Sequence, residues 1–248
     1  MKQASINIIH LQEVPSTNSY AKKLLSGERP TEGTVIVADH QTSGKGQDGN
    51  SWESEAGKNI LMTLILYPSF IEISSQFRIS MAVALGIIGF LKEILPDQQV
   101  LIKWPNDIYV GKGKIGGILI NNEIMGDHFE HVIAGVGLNV NQLAFSSNIP
   151  NPVSLKTISG QEYSLKDMTL RLCDCVMERY EQLKQESFSR IETDYLKYLL
   201  GLNEWREYIY QGKTITARIT GVNEFGRLIL ETDGAVIECD MKEIVYLF

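Results

Sequence analysis

The chain has 248 residues, 44% of them apolar, and a formal net charge of -7 at pH 7. That length allows one large core and a small second one, and a mean hydropathy near zero belongs to a soluble globular protein. The acidic balance argues against a nucleic-acid surface, which rests on basic patches, and no apolar run approaches the roughly 18 residues needed to span a bilayer.

In chain order, residues 1–5 lack the apolar segment of a secretory signal, so a cytoplasmic location is expected. Ile6 to Val14 predicts a strand, and Pro15-Ser16-Thr17 a turn that caps a helix running through Ala21, Leu24 and Leu25 to Gly27. Thr34 to Asp39, β-branched and apolar, predicts a buried strand. A glycine-rich loop, Gln41-Thr42-Ser43-Gly44-Lys45-Gly46-Gln47-Asp48-Gly49-Asn50-Ser51-Trp52, follows it. Asn59 to Tyr67 returns as a strand, and Arg78 to Leu95, apolar on most faces, predicts a helix packed deep against a sheet. Val100 to Trp104, Ile108 to Val110, Lys114 to Asn121 and His131 to Val140 read as a meander. Residues 142–164 read as loop, then Leu165 to Lys184 and Phe188 to Leu199 as amphipathic helices. Four short β runs end the chain: Thr214 to Thr220, Arg227 to Glu231, Ala235 to Cys239 and Glu243 to Tyr246. Their close spacing and glycine turns predict a small barrel. The boundary is placed at Tyr208, giving units of residues 1–207 and 208–248.

Three cysteines, Cys173, Cys175 and Cys239, are an odd count and suggest no disulfide framework. Cys173 and Cys175 lie two apart in a helical pattern, so they point to different faces and cannot chelate together. The four histidines form no metal-ligand pattern.

The chemistry concentrates in Lys103-Trp104-Pro105-Asn106-Asp107 and, after a Gly111-Lys112-Gly113 turn, Lys114-Ile115-Gly116-Gly117-Ile118-Leu119. This places an amide, a carboxylate and an ammonium at one end of a hairpin, beside glycines that let a ligand approach the backbone. Such a hairpin can hold a metal-bound phosphate and a second anion, although the same residue types are also ordinary in solvated turns. Gly44 to Gly49 satisfies the G-x-G-x-x-G dinucleotide pattern, but its third glycine opens no predicted helix, so the Rossmann reading fails on context. What remains is a loop whose backbone N–H groups and Lys45 can turn onto an anion and exclude water from a reactive intermediate. Trp52 offers a flat face for adenine or a place in the core.

Read with Ser16-Thr17-Asn18 and Gly135-Val136-Gly137-Leu138-Asn139-Val140-Asn141, these segments resemble a biotin protein ligase, also called biotin–acetyl-CoA-carboxylase ligase. The resemblance runs from about Ile8 to the C-terminus. It implies an α+β fold: a mixed β-sheet flanked by helices, with a small C-terminal SH3-like β-barrel. It implies ATP-dependent ligation of biotin to one lysine of a biotin carboxyl carrier domain through biotinyl-5'-AMP. Lys114 and Lys45 would be catalytic, with Lys114 bridging the biotin carboxylate and the α-phosphate beside Gly116 and Gly117. Ser16, Thr17, Asn18 and Gln41 would line the biotin ring pocket, and Gly44, Lys45, Gly46 and Gln47 would cover its carboxylate and the adenylate phosphate. Asn106 and Asp107 would lie near the triphosphate and its Mg2+, with Asp107 a metal ligand through ATP, while Trp52 and Asn139 would neighbour adenine. Some relatives carry an N-terminal DNA-binding module; the first predicted strand begins so early that a form without it is expected. A monomer or homodimer is implied, the latter by pairing of an edge strand such as Lys114 to Asn121.

One departure stands out. Such loops usually carry arginine at four positions where this chain has Lys45, Gln47, Asp48 and Asn50. Lysine lacks the planar fork of arginine, so bidentate phosphate recognition is lost there. Two other readings share the motifs: a lipoate-type ligase, and a biotin- or nucleotide-binding sensor without turnover.

Overall fold

The computed structural model describes residues 7–146, 151–185 and 188–247, with Asp48 described in its backbone alone. A seven-stranded sheet carries most of the chain. Its strands are β1 (Ile8–Val14), β2 (Thr34–Gln41), β3 (Asn59–Leu66), β4 (Val100–Lys103), β5 (Asp107–Val110), β6 (Gly113–Met125) and β7 (His128–Asn139), in the order β1-β2-β3-β7-β6-β5-β4. β1 and β2 are parallel because helix α1 (Thr17–Leu25) crosses between them, and the other pairings are antiparallel. The expected mixed sheet is therefore present.

Alternation along β3 separates two layers. Ile60, Met62, Leu64 and Leu66 join the large core beneath α2 (Phe77–Ile94) and α4 (Leu165–Gln185), whereas Ile65 packs with Ala21 of α1, Ile36 and Ile133 on the opposite face. α5 (Phe188–Lys197) lies on α2, and a short helix α3 (Leu155–Ser159), absent from the loop predicted there, is held by a Ser154–Thr157 capping box. The edge strand β4 is covered: Ile102 bonds through its backbone to Tyr198 and Leu200. β6 sits between β5 and β7, but β5 pairs with it only over Gly113 to Gly117, so Lys114 to Asn121 is a sheet edge only in its later part.

The second sheet comprises β8 (Trp205–Tyr210), β9 (Lys213–Val222), β10 (Leu228–Thr232), β11 (Ala235–Cys239) and β12 (Ile244–Tyr246), ordered β11-β10-β9-β8-β12 and antiparallel throughout. It begins at Trp205, so the division placed between residues 207 and 208 cuts through β8. That strand buries only Tyr208 fully and therefore gives a weak sequence signal. Nor is the tail's interior separate. Tyr208, Ile219, Leu228, Leu230 and Ile244 belong to one buried cluster with Phe77 and Trp104. The Trp104 indole N–H donates to the Gly226 carbonyl at 2.9 Å, a buried bond that ties the two sheets together. Gly226 has φ +87°, and a Cβ there would lie 2.6 Å from Phe77 Cγ, so glycine is required on both counts.

A polar clasp holds the chain entering β2 against α4. The Glu32 carboxylate accepts from Lys184 Nζ (2.6 Å), the Tyr180 hydroxyl (2.7 Å) and the Tyr67 backbone N–H (2.9 Å). Burial alone would raise the Glu32 pKa, but Lys184 and the two neutral donors together bring it below its ordinary 4.5. A depressed carboxyl stabilises the fold above its unfolded pKa, and that contribution is lost as pH falls through the folded value. Glu32→Gln should therefore lower stability near neutral pH by about 1–3 kcal/mol. Thermal melts should show the wild-type and variant Tm converging as pH is taken below 4.5; a constant gap would refute this account of the clasp.

Candidate active site

The site lies on the α1 face of the large sheet, where one ladder of cross-strand neighbours reads Leu61, Gly137, Gly117, Asp107 and Lys103. Directly opposed residues in antiparallel strands point to the same face, so two adjacent glycines form a bare floor between a leucine and a charged rim. The Trp52 indole lies on that floor. A Cβ at Gly137 would be 2.5 Å from Trp52 Cε2, and one at Gly117 would be 3.2 Å from Cζ3. One row along, a Cβ at Gly135 would lie 2.3 Å from Asn18 Oδ1. The glycines thus set how closely Trp52 and Asn18 approach the sheet.

A cavity of about 160 Å3 opens here, lined among others by Ser16, Thr17, Asn18, Gln41, Lys45, Gly46, Gln47, Trp52, Asn106, Asp107, Lys114 and Gly117. Three residues expected at the site do not line it. Gly44 sits at the neck of the loop, where a Cβ would come within 2.3 Å of the Trp52 carbonyl oxygen. Gly116 faces the core beside Leu138 and Ile108. Asn139 is buried and its amide donates to the Val153 carbonyl at 3.0 Å. It acts one step back, because Lys114 exchanges backbone hydrogen bonds with Asn151 (2.8 Å) and Val153 (3.0 Å). Asn139 therefore braces the segment that holds Lys114.

One end of the cavity is a hydrogen-bonded network. Gln41 Oε1 accepts from the Thr17 backbone N–H (2.8 Å) and lies 3.0 Å from the Thr17 hydroxyl. Thr63 Oγ1 is 2.7 Å from both Thr17 Oγ1 and Asn18 Oδ1, and Asn18 Nδ2 donates to the Leu119 carbonyl and to Asn121 Oδ1. The predicted capping turn is present, but Ser16 makes no side-chain cap bond; Gln41 reaches across from β2 to satisfy Thr17 N–H instead. Ser16, buried against the cavity, keeps its hydroxyl for whatever enters.

The other end carries charge. Lys114 Nζ lies 2.6 Å from Asp107 Oδ1, and Lys103 Nζ 3.9 Å from Oδ2. Burial pulls the Lys103 pKa below its ordinary value, with Asp107 opposing and Lys114 adding to the shift. Burial, helped by Asp107, pushes neighbouring Tyr109 up to about 12. Asn106 exchanges hydrogen bonds with Ile118, its side chain donating to the carbonyl at 2.8 Å and its own carbonyl accepting from Ile118 N–H at 2.9 Å. That locks the turn before Asp107 to β6.

The glycine loop folds back as a small hairpin over the cavity, with a Lys45–Ser51 bridge and a turn at Gln47–Gly49. Its tip touches the turn between β11 and β12, where the Gln47 amide meets Met241. Among the described residues no carboxylate pairs with Lys45. Among the described residues no acceptor meets the buried Trp52 Nε1, which leaves it to a ligand or solvent. The sequence reading missed Thr63, Asn121, Gly135, Gly137 and Lys103 as parts of this arrangement. Gly135, Gly137 and Lys103 carried a signal, since each stands in a motif already singled out, whereas Thr63 is one polar residue within an apolar strand.

No group of three or more potential metal ligands occurs among the described residues. Asp107 is the carboxylate among the described lining residues. A lone carboxylate suits a magnesium ion carried mainly by substrate phosphates and water, not one caged by the protein. The cysteines are free and buried: burial pushes Cys173, 3.6 Å from Met62 Sδ, up to about 12 and Cys239 to about 11. None of the four histidines lines the cavity.

A glycine floor, a polar end and a lysine-bearing end suited to anions, all beneath a glycine loop, point to the ligase class. Residues 11–139 match the model of the Biotin/lipoate A/B protein ligase family. The chain belongs to that family. It is 30% identical over 235 residues to the bifunctional ligase/repressor BirA of Bacillus spizizenii, covering 93% of this chain and 71% of that protein. With the biotin–[acetyl-CoA-carboxylase] ligase of Paracoccus denitrificans it shares 28% identity over 228 residues, 89% of this chain and 92% of the relative. Among solved structures, the biotin protein ligase from Aquifex aeolicus in complex with biotin and ATP superposes with a TM-score of 0.80 at 28% identity, covering 96% and 97% of the two chains.

The floor gives a direct test. Gly137→Ala should force the Trp52 indole off the sheet, because the new methyl would sit inside its contact distance. Tryptophan emission should shift, and stability should fall by about 1–3 kcal/mol as for other overpacked sites. Unchanged emission together with an unchanged Tm would show that Trp52 does not lie on this floor.

Proposed function

We propose that this protein joins biotin to the side-chain amine of a specific lysine in a biotin carboxyl carrier domain, through biotinyl-5'-AMP formed from ATP. The observation that carries this reading is the Lys114–Asp107 pair at one end of a cavity whose other end is the Ser16–Thr17–Asn18–Gln41 network. A ureido ring presents two N–H donors and a carbonyl to such a network. A dithiolane ring presents none, so the polar end favours biotin over lipoate. ATP bound to the Aquifex relative supports the nucleotide assignment.

In the first step a carboxylate oxygen of biotin attacks the α-phosphorus, and the bond to the leaving pyrophosphate breaks with its electron pair. Two anions must approach, so fixed positive charge has to stand where they meet. Lys114 fits this position, held on a sheet strand whose backbone is bonded to the 151–153 segment. Lys45 adds charge from the loop, and the loop with Trp52 excludes water from the mixed anhydride. In the second step the acceptor amine attacks the acyl carbon, AMP leaves with the C–O electron pair, and the amine loses its proton to solvent. A magnesium ion on the ATP phosphates would be held at Asp107 and would neutralise phosphate charge.

Two measurements test the reading. Biotin, and not lipoate, should drive exchange of label between pyrophosphate and ATP; lipoate-driven exchange would establish the lipoate-type activity, and biotin binding without exchange a sensor. Lys114→Ala should slow the biotin-driven exchange on the order of a hundredfold to a thousandfold, equivalent to about 2–4 kcal/mol of lost stabilisation. Near-normal exchange would make Lys114 a strand-end residue with no catalytic part.

The arginine-poor loop should also release adenylate more readily than an arginine-rich one. Restoring arginine at Gln47 should slow escape of biotinyl-adenylate a few-fold, since an exposed ionic contact contributes only about 0.2–1 kcal/mol. Biotin appearing on a bystander protein reads this directly, and equal labelling by both loops would refute it.

A further inference from the structure

Asp107 is flanked by two ammonium groups, and the ligase reading assigns work to only one of them. Lys103 stands directly opposite Asp107 in the β4–β5 ladder, with its Nζ 3.9 Å from Asp107 Oδ2 while Lys114 holds Oδ1 at 2.6 Å. Its side chain is 24% exposed and its ammonium lies 5.9 Å from the Tyr109 ring and 5.2 Å from the Tyr246 ring of the second sheet. Lys103 does not line the cavity. The two rings support the ammonium in part through cation–π attraction, and Asp107 offers it Oδ2, the oxygen that Lys114 does not hold.

We propose that Lys103 is a positioning residue that takes over Asp107 when Lys114 turns to the anionic groups of the substrates. Charge counting gives the reason. Asp107, the acyl carboxylate and one α-phosphate oxygen bring three negative charges into one end of the cavity, where Lys114 and Lys45 supply two positive ones. With Lys114 drawn toward the substrates and no divalent ion at Asp107, that carboxylate would stand uncompensated beside the incoming phosphate and repel it. Lys103 supplies the third cation, from the opposite side of the carboxylate and out of the way of the ligand. Closing from 3.9 Å to direct contact needs only a side-chain movement, because the backbone register already faces the two residues toward each other.

This inference rests on the ligase reading and is tested apart from it. Binding of α,β-methylene ATP, which cannot be cleaved at the reacting bond, is measured calorimetrically without divalent metal. Lys103→Met should weaken that binding about tenfold, while the same substitution made on an Asp107→Asn background should change it less than about twofold. Lys103→Arg should stay close to wild type, and the affinity for biotin alone should not move in either variant. In exchange assays Lys103→Met should raise KM for ATP and leave KM for biotin unchanged. An equal loss in the wild-type and Asp107→Asn backgrounds, or a matching loss of biotin affinity, would make Lys103 a general structural residue and overturn the proposal. So would undiminished nucleotide binding by both Lys103→Met and Lys103→Gln. If the wild-type protein drives no biotin-dependent exchange, the ligase reading itself fails.

Discussion

Lys114 meets Asp107 because the β5–β6 ladder skips a residue. Asp107 pairs with Gly117 and Ile108 with Gly116, but Tyr109 pairs with Lys114, which leaves Ile115 as a bulge. In regular alternation Gly117 and Ile115 would face the site and Lys114 would face the core. The bulge places both Ile115 and Gly116 on the core side and returns Lys114 to the face of Asp107. Both the charge at this end of the cavity and the chemistry proposed for it depend on that single extra residue.

Around it, rigidity is distributed so that few groups need to move. Thr17, Asn18, Gln41 and Thr63 fix one another, and Asn18 is bonded on to β6 through Leu119 and Asn121. Asn106 bonds to Ile118, and Asn139 holds Val153, which bonds Lys114. Side chains locked by such outer partners present ligand groups in one arrangement, which favours preorganisation over rearrangement on binding. The glycine loop is the element that crosses from this frame to the second sheet.

The second sheet is part of the same frame. Trp104 opens the turn that leads through Asn106 into Asp107, yet its indole is buried and bonds Gly226 across a shared apolar interior. Tyr246 from the same sheet walls the Lys103 ammonium, and Met241 receives the tip of the glycine loop. The charged end of the site is thus supported from both sheets, which explains why the tail cannot be read as an independent barrel with its own core.

Much of this was legible in the chain. Apolar alternation and length located most strands and the deep helix α2, because periodicity is a local property of sequence. Glycine, asparagine, aspartate and lysine clustered in four segments located the site, and nearly all its expected residues line one cavity. Strand β8 was missed because it buries little, and the boundary shifted with it. The inward or outward sense of Lys114 was not legible, since a one-residue bulge reverses which face a side chain takes and alternation alone cannot reveal it, and the bond from Asn139 to Val153 joins segments that alternation does not relate. Lys103 reads as part of a strand until the ladder sets it opposite Asp107. Sequence determined which residue types stand in which elements, because local propensity and pattern act along the chain. Tertiary structure decided which of them meet, because register, bulges and the packing of two sheets are fixed only by contacts between residues far apart in sequence.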